Sequence, residues 1–236
     1  GDHLVITGQK IWTSNGHIAN RLFLLCRTDP GAPKHRGISY VLVDVADNHI
    51  EVRFTEQMAG EHEFTEEFID GARAPLFNVI GGLNNGWKVA MTTLGNERGS
   101  MATVQHVPYE RHFLKLLDAA RERKLTGAAT IRDELARVYS GFQLMRFSGL
   151  RILASMASER QIGPESSMYK LFSSEYGQRL GELSLQVLGA EMLVRPDGDG
   201  YPLDEWQYGL LHGRALTIMA GSSQIQRNIL GERVLG

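Results

Sequence analysis

The hydrophobic spacing of this chain changes period once, near residues 75–85, and that change limits what it can fold into. Before it, apolar residues alternate or cluster in short runs. Leu4–Thr7, Lys10–Ser14, Arg21–Thr28, Ile38–Asp44, Ile50–Phe54 and Glu66–Ile69 are rich in β-branched and aromatic residues, and Asn-Gly, Asp-Pro-Gly and Asp-Asn turn signals lie between them. The spacing predicts two strands around a tight turn at Gly8-Gln9, then further short strands ending before about Pro75. No helical period separates them, so an antiparallel sheet is expected. After the Gly81–Gly86 loop the period becomes 3.6. One long helix is expected from about Trp87 to Lys124, with Pro108 as a kink or weak point, followed by helices over Ala128–Glu159, Glu165–Leu188, Asp204–Ile218 and Ser222–Val234. Long helices with short connections pack economically as an antiparallel bundle.

Composition removes several function classes. Twenty-five basic residues stand against 27 acidic ones, a formal net charge of −2, which gives no electrostatic reason to expect nucleic acid or an anionic membrane surface. No apolar run is long enough to span a bilayer. The single cysteine, Cys26, can form neither an internal disulfide nor a thiolate metal site, so a reducing, cytoplasmic setting is expected. His106 and His112 stand on different faces of one helix, and no metal site is expected. Gly81, Gly82 and Gly86 lack the Lys-Ser/Thr of a phosphate loop. The opening Gly1-Asp2-His3, with no methionine and already close to a strand, reads as a cut from a longer polypeptide.

Three segments carry chemistry. Trp12-Thr13-Ser14-Asn15-Gly16 sets an indole beside a hydroxyl, a flat apolar wall and a donor suited to a planar heterocycle; taken alone, a core tryptophan followed by a Ser-Asn-Gly turn accounts for it more simply. Leu94-Gly95-Asn96-Glu97-Arg98 places a carboxylate between apolar turns, where burial raises its pKa toward that of a base; an exposed Glu-Arg pair is the plain alternative. In Ala220–Arg227, Gly221 followed by Ser222 marks a helix N-terminus whose free N–H groups suit a phosphate or carbonyl, or simply a capped helix.

Taken in order, these segments resemble the acyl-CoA dehydrogenase family over essentially the whole chain. Gly8–Gly16 is similar to the family's G-x-K-x-W-I-T-N-G, and Gly86–Met91, Gln186–Gly189 and Gly221–Arg227 follow in register. The resemblance implies an α+β fold: an antiparallel β-domain (a partial β-barrel) in residues 1–78, followed by an antiparallel up-down helical bundle in 79–236. It also implies FAD, an acyl-CoA substrate losing hydrogen from its α and β carbons, electron-transferring flavoprotein as acceptor, and a homo- or hetero-oligomer, dimer or tetramer. By this resemblance Trp12 packs on the isoalloxazine and Ser14 hydrogen-bonds near flavin N5. Arg123, Gln186, Gly189, Ser222 and Gln224 are the remaining cofactor-binding positions, and Arg98, Ala220 and Gly221 are expected at the substrate.

Two departures carry information. Ala220 stands where many members have a catalytic glutamate, while Glu97 occupies the L-x-x-E-R site that a subset of the family uses instead, which makes Glu97 the expected α-proton base. Arg123–Gly127 lacks the aromatic of R-x-x-F-G, and Ala190 replaces a second glycine. Such degeneration accompanies pairing with a different subunit, so a non-catalytic partner subunit remains an alternative, as does a relative with other flavin chemistry such as oxygen-dependent oxidation.

Overall fold

A computed structural model describes residues 1–158, 163, 166–194 and 203–236, with the side chains of 96–101 excepted. The chain forms two compact units, Gly1–Gly95 and Asn96–Gly236.

The first unit holds two three-stranded antiparallel sheets. In one, β5 (Phe64–Pro75) lies between β1 (His3–Ser14) and β4 (Glu51–Phe54). In the other, β3 (Ile38–Asp44) lies between β2 (Arg21–Arg27) and the two-residue β6 (Val79–Ile80). Strand alternation fills one core: Leu22, Leu24, Val41, Val43, Ile50, Ile69, Ala72 and Ala74 are buried together. On β5 the buried positions run 65, 67, 69 and then 72, 74, so the phase slips by one residue at Gly71 (φ +69°), whose N–H donates to Thr7 Oγ1 at 3.1 Å. A matching irregularity between Ile6 and Gly8 on β1 keeps both halves of the ladder facing the core. This bulge corrects the expected hairpin. Gly8-Gln9 is not a turn, and residues 3–14 form a single strand. Strands also extend past Pro75, through β6.

The helical segments are α1 (Gly86–Val104), α2 (His106–Glu122), α3 (Ala129–Ala157), α4 (Ser166–Leu188), α5 (Glu205–Leu216) and α6 (Ser223–Arg233). The one long helix expected from Trp87 to Lys124 is therefore two. The chain breaks at Gln105, and Pro108 falls in the first turn of α2, where its missing N–H leaves no intrahelical bond unmade. Lys124, with φ +56°, ends that run. Gly86 is required by contact: a Cβ there would lie 2.4 Å from backbone atoms of Ser39 and Tyr40 on β3.

In the second unit, α4 touches α2, α3, α5 and α6. Phe113, Leu116, Leu135, Val138, Phe142, Met145, Tyr176, Leu180, Leu183 and Val187 recur at helical spacing and bury one core. Small residues let helices close on α4, as at Gly181, whose added Cβ would lie 2.9 Å from Leu210 Cα. Asp204 caps α5, accepting from the backbone N–H groups of Trp206 and Gln207 at 2.9 and 2.8 Å. Among the described residues, no helix is long and apolar enough to cross a membrane, and no group of three His, Cys, Asp or Glu side chains is placed to hold a metal.

Candidate functional site

At the end of β1 the pairing register slips between Ile11 and Thr13, leaving Trp12 as the extra residue of a bulge. Trp12 has φ +65°, a left-handed conformation that costs an L-residue about 1–2 kcal/mol. The residue is 58% exposed and its indole meets Phe64 edge-to-face at 5.9 Å, so it is not a core tryptophan. The side chain of Ser14 is exposed opposite Phe64. Asn15 (φ +56°) donates its N–H to Glu63 O at 2.8 Å, and the chain then passes through the buried Gly16. An aromatic face and a hydroxyl are thus presented outward by strained backbone, an arrangement that fits a planar ring such as isoalloxazine.

Directly beneath lies a carboxylate that sequence reasoning missed. Glu67 on β5 is fully buried; Thr13 Oγ1 donates to its Oε2, and Thr65 Oγ1 donates to its Oε1 at 2.5 Å. Its signal was the strand phase, since Glu67 alternates with the core residue Ile69.

Four segments of the second unit contain the remaining positions. Ala220 (φ +52°) and Gly221 (φ +91°) are consecutive left-handed residues before the α6 N-cap. Ser222 caps that helix, its Oγ accepting from Ile225 N–H at 3.3 Å, while the side chain of Gln224 is exposed. Gln226 is wholly buried and donates from Nε2 to Gly221 O at 3.2 Å; its Oε1 and the buried Ser223 Oγ have no hydrogen-bond partner among the described residues. Unspent polar capacity at a helix N-terminus fits the polar part of a cofactor or a carbonyl oxygen.

Arg123, just past α2, donates from Nη2 to Glu191 Oε2 at 2.5 Å. Glu191 belongs to the 3-10 turn Gly189–Leu193, which opens on Gly189 at φ +63° as α4 ends. The structure therefore brings Arg123 to the turn that Gly189 starts, and it adds Glu191, an acid no motif had singled out. Gln186 is exposed near the end of α4. Glu97 and Arg98 lie within α1, and their side chains are outside the described residues. An apolar cleft of about 310 Å³ opens between α3 and α4, lined by residues including Leu144, Ile152, Met168, Tyr169 and Phe172; among the described residues, none of the sequence-nominated positions lines it. Burial pushes the Tyr169 hydroxyl up to about 12.

Comparison with solved structures assigns strands followed by helices, in this order, to the fold of acyl-CoA dehydrogenase enzymes. A structure described as the Tcur3481–Tcur3483 steroid ACAD superposes with a TM-score of 0.89 at 27% identity, covering 100% of this chain and 61% of that one. The ChsE4–ChsE5 complex from Mycobacterium tuberculosis gives 0.86 at 27%, covering 100% and 62%. The family described as acyl-CoA dehydrogenase, C-terminal domain, matches residues 84–235, and the chain belongs to the acyl-CoA dehydrogenase family. Among curated relatives, acyl-CoA dehydrogenase IpdE1 of Mycobacterium tuberculosis is 39% identical over 236 residues, and FadE34 of the same organism is 37% identical over 234. These alignments cover 100% and 98% of this chain but only 60% and 31% of the relatives, so the chain spans part of the length of each. Flavin dependence is a property of the family.

Proposed function

We propose that the protein containing this chain is an FAD-dependent acyl-CoA dehydrogenase that removes hydrogen from the α and β carbons of an acyl-CoA thioester, with Glu97 as the α-proton base. The observation carrying this reading is a pair of positions inside the matched region 84–235: the usual carboxylate position is Ala220, and the alternative position on α1 is Glu97. Alanine can neither accept a proton nor relieve its own left-handed backbone, whereas its N–H can hold a thioester carbonyl oxygen and polarise the α C–H bond. Bound FAD would supply the acceptor for the β-hydride. Trp12 and Ser14 would hold the isoalloxazine, and Arg98 and Gly221 would line the substrate. Ser222, Gln224, Gln186, Gly189 and Arg123 would take the rest of the cofactor. The 78/79 domain boundary, the partial barrel, the up-down bundle and electron-transferring flavoprotein as acceptor belong to the same proposal.

The test uses the full-length protein and reads flavin bleaching by an acyl-CoA panel. Glu97→Gln should slow reduction by about 10²–10⁴ with ligand binding nearly unchanged, and adding Ala220→Glu should restore part of the rate. Bleaching of Glu97→Gln at the unmodified rate would end the base assignment.

A second reading is a non-catalytic partner subunit in a heteromer, lending its helical bundle and Arg123 to a working subunit, and relatives of solved structure favour it. Two similar solved structures are described by paired names, one of them as a complex. Isolation with a second, related chain and without its own flavin would support it.

A further inference from the structure

We propose that Glu67 is the positioning residue for the flavin-facing end of β1, its buried carboxylate locking the bulge that turns Trp12 and Ser14 outward. What those two residues hold rests on the function proposed above; the lock itself rests on geometry. Glu67 is fully buried, and none of the described ion pairs involves it. An apolar residue at this strand position would avoid the desolvation cost of a buried carboxylate. Both of its oxygens are engaged by hydroxyls, Thr13 on the strand that bulges and Thr65 on the strand opposite. Thr13 follows immediately after Trp12, and Thr13 and Thr65 face each other across the ladder at the first regular pair after the slip. Thr65 Oγ1 also lies 3.1 Å from Thr13 O, so the carboxylate, both hydroxyls and the bulged backbone form one cluster. Gly16 closes it: a Cβ there would lie 2.1 Å from Thr65 Oγ1 and 2.5 Å from Glu67 Oε1, leaving room for backbone only. Residues 13 and 16 are thus both held against one acid. A left-handed tryptophan, unfavourable on its own, persists because its neighbours over-determine it.

The test measures the full-length protein with Glu67→Gln, Thr13→Val and Thr13→Ser. Gln replaces one acceptor oxygen with a donor, Val removes the Thr13 hydroxyl at constant shape, and Ser restores it. In the apoprotein, hydrogen exchange at amides 12–16 should rise about tenfold in Glu67→Gln and Thr13→Val, the factor that ~1.4 kcal/mol of lost local stability produces. Amides of β2 and β3 should keep their protection, and Thr13→Ser should return the loop to normal. With FAD, the first two variants should bind about tenfold more weakly and shift the visible flavin bands, and Ser should restore both. Unchanged exchange at 12–16, or an equal rise in β2 and β3, overturns the proposal. A loosened loop with unaltered FAD affinity and spectrum upholds the lock and overturns instead the assignment of Trp12 and Ser14 to the flavin.

Discussion

The guanidinium of Arg123 donates to the carboxylate of Glu191 at 2.5 Å, across the gap between the end of α2 and the turn that follows α4. The Arg123 side chain is 30% exposed and that of Glu191 is 71% exposed, so the pair contributes at most about 1 kcal/mol. In the proposed function Arg123 meets the pyrophosphate of FAD, whose two phosphates, each carrying one negative charge, offer more charge and more acceptors than one exposed carboxylate. Glu191→Gln is therefore expected to raise FAD affinity of the full-length protein several-fold, and Arg123→Ala to lower it about 10–100-fold. Isothermal titration of the apoprotein checks both. Identical affinities in all three proteins would remove Arg123 from the cofactor site.

Helix α3 meets α1 at Gly149, where an added Cβ would lie 2.3 Å from Ala102 O. Backbone cannot swing aside as a side chain can. Gly149→Ala should cost about 1–3 kcal/mol in urea unfolding, although alanine is the better helix former. A variant as stable as the parent would show that the two helices do not meet this closely.

His112 on α2 lies edge-on to Trp206 at 4.5 Å, its Nε2 3.4 Å from Ser184 Oγ. Burial lowers its pKa below the ordinary 6.5, with Glu205 opposing the shift and Lys115 adding to it. The unfolded chain therefore takes up this proton at a higher pH than the native one. The difference in unfolding free energy between the parent and His112→Gln should be flat above about pH 6.5. It should shrink as the pH falls below that value and level off once the native imidazole is also protonated. Denaturant titrations from pH 5 to 8 measure it, and a difference independent of pH would contradict the lowered pKa.

Local sequence determined much of this protein. The period change separated strands from helices, because a two-residue repeat and a 3.6-residue repeat cannot bury the same face in the same secondary structure. Gly221-Ser222 located the cap of α6 because the residue that accepts from Ile225 N–H is its chain neighbour. Tertiary structure decided the rest. Gly8 looks like a turn until β5 pairs alongside it and absorbs the irregularity as a bulge. Trp12 faces solvent because the register across the ladder slips beside it. Glu67 becomes a buried acid only when Thr13, distant in sequence, closes over it, and Glu191 reaches Arg123 only after α2 and α4 pack together. Periodicity and caps act over one turn or one strand, so the sequence displays them directly. The bulge register and the burial and pairing of single carboxylates are contacts between distant segments, and only packing specifies those.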